Sequence, residues 1–316
     1  SLIALQKMCS GNIDVEKGKV VYTHMLNSKG GIECDITINR MDEHVFLIIS
    51  SATTHARDKS WIERHIGEDN ATLTDVTSGY AVLSLQGPNS RSILREISNS
   101  NLDNEAFPFS TSQEIELGYA KVIANRLTYV GELGWELHIP TEFAQHVFDK
   151  IWKAGDSFGL KAAGYHALEH LRSERAYREY ELDLTPEDTP YEAGLGFTVS
   201  LDKKTPFKGQ DALIKQKEQK VLKKRLVMFK LKDPQAVLFH EEPIKLNDKI
   251  VGYISSGAYA FNLNCSVGMG YVHHPEGVTK DLLESGNWEI EIAGKNYLAD
   301  ASLKAFFDPF GERVMG

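Results

Sequence analysis

The chain has 316 residues, 42% of them apolar and 25% charged, with a net charge of −9 and a pI near 5.7. That is enough chain for about two domains with substantial cores. The acidic balance argues against a nucleic-acid binder, which needs a basic face to displace counterions, but leaves room for a local basic pocket.

Cys9, Cys34 and Cys265 stand far apart, with no CxxC and no Cys/His cluster at ligand spacing. Neither a metal site nor a disulfide scaffold is expected, and a reducing compartment is the default. No apolar run approaches the roughly 20 residues of a membrane span, and no stretch reads as a signal or transit segment. Leu2–Met8, apolar at 2, 5 and 8, reads as a helix already in progress. With no initiator methionine, this suggests a fragment or a processed product.

Residues 19–50 are β-rich: Val20–Met25, a turn over Asn27–Gly31, Ile32–Ile38, then Val45–Ile49. Alternation puts Ile36 and Ile38 on one face and Asp35 and Thr37 on the other. Gly30 and Gly31 are expected to supply the positive φ of a hairpin. Residues 53–66 predict an amphipathic helix. A strand over Ala81–Gln86 ends at Gly87-Pro-Asn89, and Asn89 is expected to cap a helix through Ile97.

The run from Leu127 to His138 reads as strand, tight glycine turn, strand. It carries Tyr129, Glu132 and Glu136. A carboxylate on a strand beside aromatic rings can accept paired hydrogen bonds from a flat ligand edge bearing adjacent N–H groups, as on a pterin ring. The same spacing also fits an ordinary hairpin whose acids face water. Helices are expected over 141–158 and 165–178. After Lys203–Gly209 comes a charged helix, 210–224. The rest reads as short strands at 225–231, 249–256, 266–272, 287–293 and 296–304, forming a small barrel or sandwich. The fold class is therefore α+β, divided as 1–220 and 221–316. No GxGxxG follows a strand, and GxxxxGK[ST] and GxSxG are absent, so no Rossmann cofactor site is expected within the chain.

Asp35 is a lone acid among Ile, Thr and Cys on its strand. Burial would raise its pKa while ligand N–H groups would favour its anion, a combination suited to a general base; a surface-facing strand position is the alternative. Glu132, nearer the turn tip, is expected to be a solvated scaffold acid. Glu174 and Arg178 are spaced as a surface i, i+4 pair, while Arg172 is expected to point inward to an anionic ligand tail. Glu192, in the loop Thr189–Gly196, fits either a functional acid or a helix cap. His24, His55, His273 and His274 have no companions at ligand spacing and read as structural.

Taken together, Met25–Ile38, Leu85–Ser90, Tyr129–Glu136, Ala163–Leu168 and Glu192–Phe197 resemble the aminomethyltransferase (glycine-cleavage T-protein) family. More closely they resemble its version at the C-terminus of sarcosine and dimethylglycine dehydrogenases. Asn104–Thr111, Glu136–Pro140 and Phe307–Pro309 carry the sarcosine-dehydrogenase likeness. The resemblance spans the whole chain. It implies subdomains around a central folate channel, ending in a small β-barrel, with the first strands and the preceding flavin domain outside this chain. It also implies that Asp35 assists methylene transfer, Glu136 grips the pterin and Tyr129 lines the folate site. The helix after Gly164 departs from the family, with Ala176 for a glycine and Tyr180 for a tryptophan, and Ser50-Ser51 stands where an asparagine is usual.

The implied function is transfer of the one-carbon unit of sarcosine demethylation to tetrahydrofolate, giving 5,10-methylenetetrahydrofolate and glycine. The donor would be a sarcosine-derived iminium or formaldehyde. It would come from an FAD-containing flavin domain in cis or on a partner subunit, in the mitochondrial matrix, with no nucleic-acid or membrane partner. The alternatives are a stand-alone aminomethyltransferase and a non-catalytic folate-binding regulator, like that of pyruvate dehydrogenase phosphatase.

Overall fold

The computed structural model describes residues 1–316. Helix α1 (Leu2–Met8) leads into a three-stranded antiparallel sheet of β1 (Val20–Leu26), β2 (Ile32–Arg40) and β3 (Phe46–Ser50). The β1–β2 turn is held by the Asn27 side-chain carbonyl, which accepts from the backbone N–H groups of Lys29 (2.9 Å) and Gly31 (3.0 Å). Only Gly30 has a positive φ, +84°. Gly31 is required for a different reason: a Cβ there would sit 1.8 Å from the Pro186 carbonyl oxygen. Met25, Cys34, Ile36 and Ile38 fill the inner core with Ile62 of α2 (His55–Ile66).

A four-stranded antiparallel sheet follows, in spatial order β4 (Tyr80–Gln86), β7 (Gly134–Pro140), β6 (Ala120–Asn125), β5 (Ser112–Leu117). Helix α3 (Ser90–Arg95) and helix α4 (Ala144–Gly155) cover the face carrying Leu85, Trp135, Leu137 and Ile139. The α3 cap differs from expectation: Asn89 makes no capping bond, and its amide donates to the Phe158 carbonyl instead (3.2 Å).

Three predicted elements stop short, among them the helix expected over 210–224, which ends at Glu218. The stretch 126–133 is an irregular loop, so Tyr129 and Glu132 are not on a strand. Long-range bonds hold this backbone out of the ladder: the Arg126 guanidinium donates to the carbonyls of Phe107 (2.6 Å) and Met315 (2.9 Å), and Gly131 has φ +73°. Helix α5 (Tyr165–Glu174) ends four residues early, because Ala176 turns left-handed at φ +53°.

After α6 (Gln210–Glu218) the chain closes a six-stranded barrel. Its strands are β8 (Lys224–Leu231), β9 (Pro243–Leu246), β10 (Lys249–Ala260), β11 (Cys265–His273), β12 (Trp288–Ile292) and β13 (Lys295–Ser302). The spatial order is β10-β11-β8-β13-β12-β9, packed around Phe229, Ile244, Val272, Trp288 and Ile290. Short β9 had no sequence signal of its own. Helix α7 (Lys280–Ser285) and helix α8 (Glu312–Met315) complete the chain.

Buried acids clamp the barrel to α5. Glu174 accepts from the Asn262 backbone N–H (2.9 Å) and side-chain amide (2.6 Å). It is therefore not the surface partner of Arg178. Asp183, fully buried, accepts from Ser255, from Ser256 (2.8 Å) and from Arg172 (3.2 Å).

Candidate functional site

Antiparallel register places Tyr22 opposite Thr37, His24 opposite Asp35 and Val20 opposite Asn39. These residues share the face of the first sheet that does not form its core. On the second sheet Glu136 lies between Ser84 and Asn125 on the face away from Trp135 and Leu137. The two faces meet through one chain of hydrogen bonds. The Asn39 amide donates to Asn125 Oδ1 (2.7 Å), and the Asn125 amide bonds His138 Nε2 (3.0 Å). Asp35 and Glu136 thus project from sheet faces that oppose one another.

Asp35 is mostly buried, with 17% of its side chain exposed, and its Oδ1 lies 3.2 Å from His24 Nε2. The Thr198 hydroxyl donates to the Leu195 carbonyl (2.8 Å) and lies 2.9 Å from His24 Nδ1. This fixes the ring and aims Nε2 at Asp35. The Tyr22 hydroxyl is also directed at Asp35; burial first, then that neighbouring carboxylate, push it well above the usual phenol range. His24, expected to be structural, is fully buried beside Asp35. The signal was present, because once Asn27–Gly31 is the turn, hairpin register sets His24 across from Asp35.

Glu136 has burial as the sole cause of its raised carboxyl pKa; no hydrogen bond or positive charge offsets it. An acid held there without a protein partner is an acceptor awaiting donors. Tyr129 donates from its hydroxyl to the Arg178 carbonyl (2.8 Å), and its ring lies nearly parallel to Tyr177 at 6.2 Å. Tyr22 is within electrostatic reach of both Tyr129 and Arg178, which brings the Asp35 side of the cleft to this loop. Glu132 is not solvated: it pairs with Arg313 at 2.8 Å and anchors the C-terminal helix. Glu192 accepts from the Thr189 backbone N–H (3.0 Å), the local capping arrangement.

Arg172 departs from its expected role. Its Nε–H meets Glu169 (2.8 Å), Nη1 serves the Tyr177 carbonyl (3.1 Å) and Asp183 (3.2 Å), and Nη2 serves Glu179 (2.9 Å) and Glu169 (2.6 Å). Four of its five N–H groups are hydrogen-bonded within the protein and its charge faces three carboxylates, which leaves it poorly placed for an anionic ligand tail. Burial among three acids makes it scaffold.

One sheet face carries Glu136 and the opposing one carries Asp35 beside His24, and both sheets are joined to a C-terminal six-stranded barrel. The GCVT N-terminal domain model matches residues 1–203, and the glycine cleavage T-protein C-terminal barrel domain model matches 224–308. The chain belongs to this family. It is 37% identical over 316 residues to the 4-methylaminobutanoate oxidase (formaldehyde-forming) of Paenarthrobacter nicotinovorans, covering 100% of this chain and 38% of that protein. It is 36% identical to human mitochondrial sarcosine dehydrogenase, over 97% of this chain and 35% of that one. It is also 36% identical to the aminomethyltransferase of Halothermothrix orenii, over 87% of this chain and 75% of the relative. The chain therefore spans little more than a third of the two oxidoreductases. The crystal structure of glycine cleavage system aminomethyltransferase T from Bartonella henselae superposes with a TM-score of 0.81 at 23% identity, covering 94% of this chain and 79% of that one, which shows the shared fold.

Proposed function

We propose that this chain is a folate-dependent one-carbon transferase unit in which Glu136 and Tyr129 hold tetrahydrofolate and Asp35 handles the proton of the transfer. The observation that carries the reading is Glu136, an inward-facing carboxylate with no protein donor. It fits the paired N–H edge of a pterin, and Tyr129 supplies an aromatic wall beside it.

Bound tetrahydrofolate supplies two amine nitrogens that take up the carbon. In balanced form a methylene iminium and tetrahydrofolate give 5,10-methylenetetrahydrofolate and a protonated primary amine; two N–H protons pass to the departing nitrogen and no oxidant is needed. Asp35 accepts such a proton and returns it to the leaving amine. His24, braced by Thr198, packs its Nε2 edge against the Asp35 carboxylate. Holding the reactive carbon between the two opposed sheet faces limits its loss to water.

The length of the oxidoreductase relatives supports a flavin domain or subunit as the source of the donor. The human relative supports sarcosine as the amine and the mitochondrion as the location. The gap between the two family matches, 203 to 224, supports a division of the chain near residue 220.

Asp35→Ala tests the assignment. Folate affinity, measured by calorimetry, should change only a few-fold. Formation of the methylene product from formaldehyde and glycine, corrected for uncatalysed condensation, should fall roughly 10²–10⁴-fold. An unchanged rate removes Asp35 from the chemistry.

A further inference from the structure

Phe307-Asp-Pro309 carries part of the family likeness, yet it lies on neither of the opposed sheet faces. It follows the last barrel strand, β13, and opens the segment that ends in α8. Asp308 is the centre of this segment. Its carboxylate accepts from the backbone N–H groups of Glu312 (2.9 Å) and Arg313 (3.2 Å), which ties down the start of α8, and its backbone stands at φ +42°. The same carboxylate meets Arg175 at 3.0 Å, and that guanidinium also donates to the carbonyls of Phe307 (2.9 Å) and Asp308. Only 7% of the Arg175 side chain and 9% of the Asp308 side chain are exposed.

Arg175 connects this segment to the loop 126–133. A Cβ on Gly131 would lie 2.2 Å from Arg175 Cγ, so the loop backbone rests against the aliphatic stem of the arginine, and Gly131 has φ +73°. The guanidinium stands 5.9 Å from the centre of the Tyr177 ring, the same ring that lies nearly parallel to Tyr129. Helix α8 reaches the loop at two more points. Arg313 pairs with Glu132 at 2.8 Å, and the Met315 carbonyl accepts from Arg126 (2.9 Å). The loop belongs to no strand ladder, so contacts of this kind set its shape.

We propose that Phe307–Gly316 is a positioning strap: through Arg175, Asp308 sets the Tyr129 loop and with it the aromatic wall of the folate pocket. This rests on the folate-binding reading above and adds residues placed away from the two sheet faces. Asp308 and Arg175 are positioning residues that act through Gly131 and Tyr177. Breaking their buried pair strands one charge and releases the start of α8. The loop then loses the surface on which Gly131 rests. Tyr129 keeps its own bond to the Arg178 carbonyl, so its ring is displaced and not freed.

The test is a double-mutant cycle on the whole 316-residue chain. The readout is calorimetric affinity for 5-formyltetrahydrofolate, at a temperature where scanning calorimetry shows each variant folded. Asp308→Asn keeps the side-chain shape and one acceptor for α8 but sets an amide donor against Arg175. It should weaken binding roughly 3- to 10-fold, the worth of one aromatic contact. In a Tyr129→Leu background no ring remains to be placed, and the same substitution should change affinity by less than about twofold. A pair that serves stability alone would lower affinity equally in both backgrounds. Arg175→Lys, which keeps a cation for Asp308, should bind between wild type and Asp308→Asn. If Asp308→Asn does not fold, Arg313→Met, at the half-exposed far end of the strap, is put through the same cycle and decides by the same outcomes. Unchanged affinity in the Tyr129 background, or an equal loss in both, overturns the proposal. A wild-type chain that binds no folate overturns the underlying reading, and this one with it.

Discussion

Replacing Glu136 by glutamine should separate stability from binding. In the free protein the carboxylate is mostly withdrawn from water and unpaired, and burial raises its pKa. A raised carboxyl pKa means that the folded state holds a proton more tightly than the unfolded chain. Its contribution to stability is full below the unfolded pKa and is lost as pH rises through the folded one. At neutral pH the anion is therefore a cost, on the order of 1 kcal/mol for an incompletely desolvated charged acceptor. Glu136→Gln removes that cost and should raise Tm by about 2 °C. Binding should move the other way. A pterin edge presents donors, and the glutamine amide sets a donor against one of them. Loss of one charge-assisted bond, about 1.5–3 kcal/mol, weakens Kd by roughly 10- to 150-fold. Wild-type affinity should also decline as pH falls through the raised Glu136 pKa, and the variant should lose that dependence. Scanning calorimetry and folate titration across pH measure both effects. Unchanged folate affinity, or a destabilised variant that still binds, would refute the view of Glu136 as an acceptor kept free for ligand.

Arg172→Leu should cost about 3–5 kcal/mol by stranding Asp183, Glu169 and Glu179 without their cation. Urea unfolding would show this, and a stable variant that has lost folate affinity would instead restore Arg172 to the ligand. His138 is held neutral by burial, its pKa pulled down from 6.5 to about 4, while the Asn125 amide donates to Nε2. A depressed base pKa stabilises the fold above pH 6.5, and this is lost as pH falls toward 4, by at most about 1.4 kcal/mol per pH unit. His138→Gln should flatten the stability–pH slope in that window. Gly31→Ala should destabilise more than Gly30→Ala, as thermal melts would show. The first drives a Cβ into the Pro186 carbonyl, an overpacking cost of about 1–3 kcal/mol or more; the second meets left-handed strain of roughly 1–2 kcal/mol.

Much of this site could be read in the chain because hairpin register is local. Alternation over Ile32–Ile38 separated Asp35 from the core residues, and the turn over Asn27–Gly31 fixed what lies opposite it. The barrel strands were legible because short β segments alternate between turn residues; only Pro243–Leu246 was too short to register. The 126–133 loop departs from the expected strand and turn although its Gly-Glu-Leu-Gly run has hairpin composition. The bonds that untie it come from residues as distant as Arg178 and Met315. The overlong α5 had the same origin: spacing set Glu174 and Arg178 on one helical face, whereas Glu174 turns to the barrel and Arg178 to the Ala176 and Ala193 carbonyls.

The sequence by itself determined the family, the β1–β2 hairpin and the candidate acids Asp35 and Glu136, because motif and strand period act over a few residues. The tertiary structure alone decided which charges are spent and which are free. Arg172 is consumed by three carboxylates, whereas Glu136 is left without a protein donor. That distinction depends on desolvation and on partners brought together from across the chain, neither of which spacing along a strand or helix encodes.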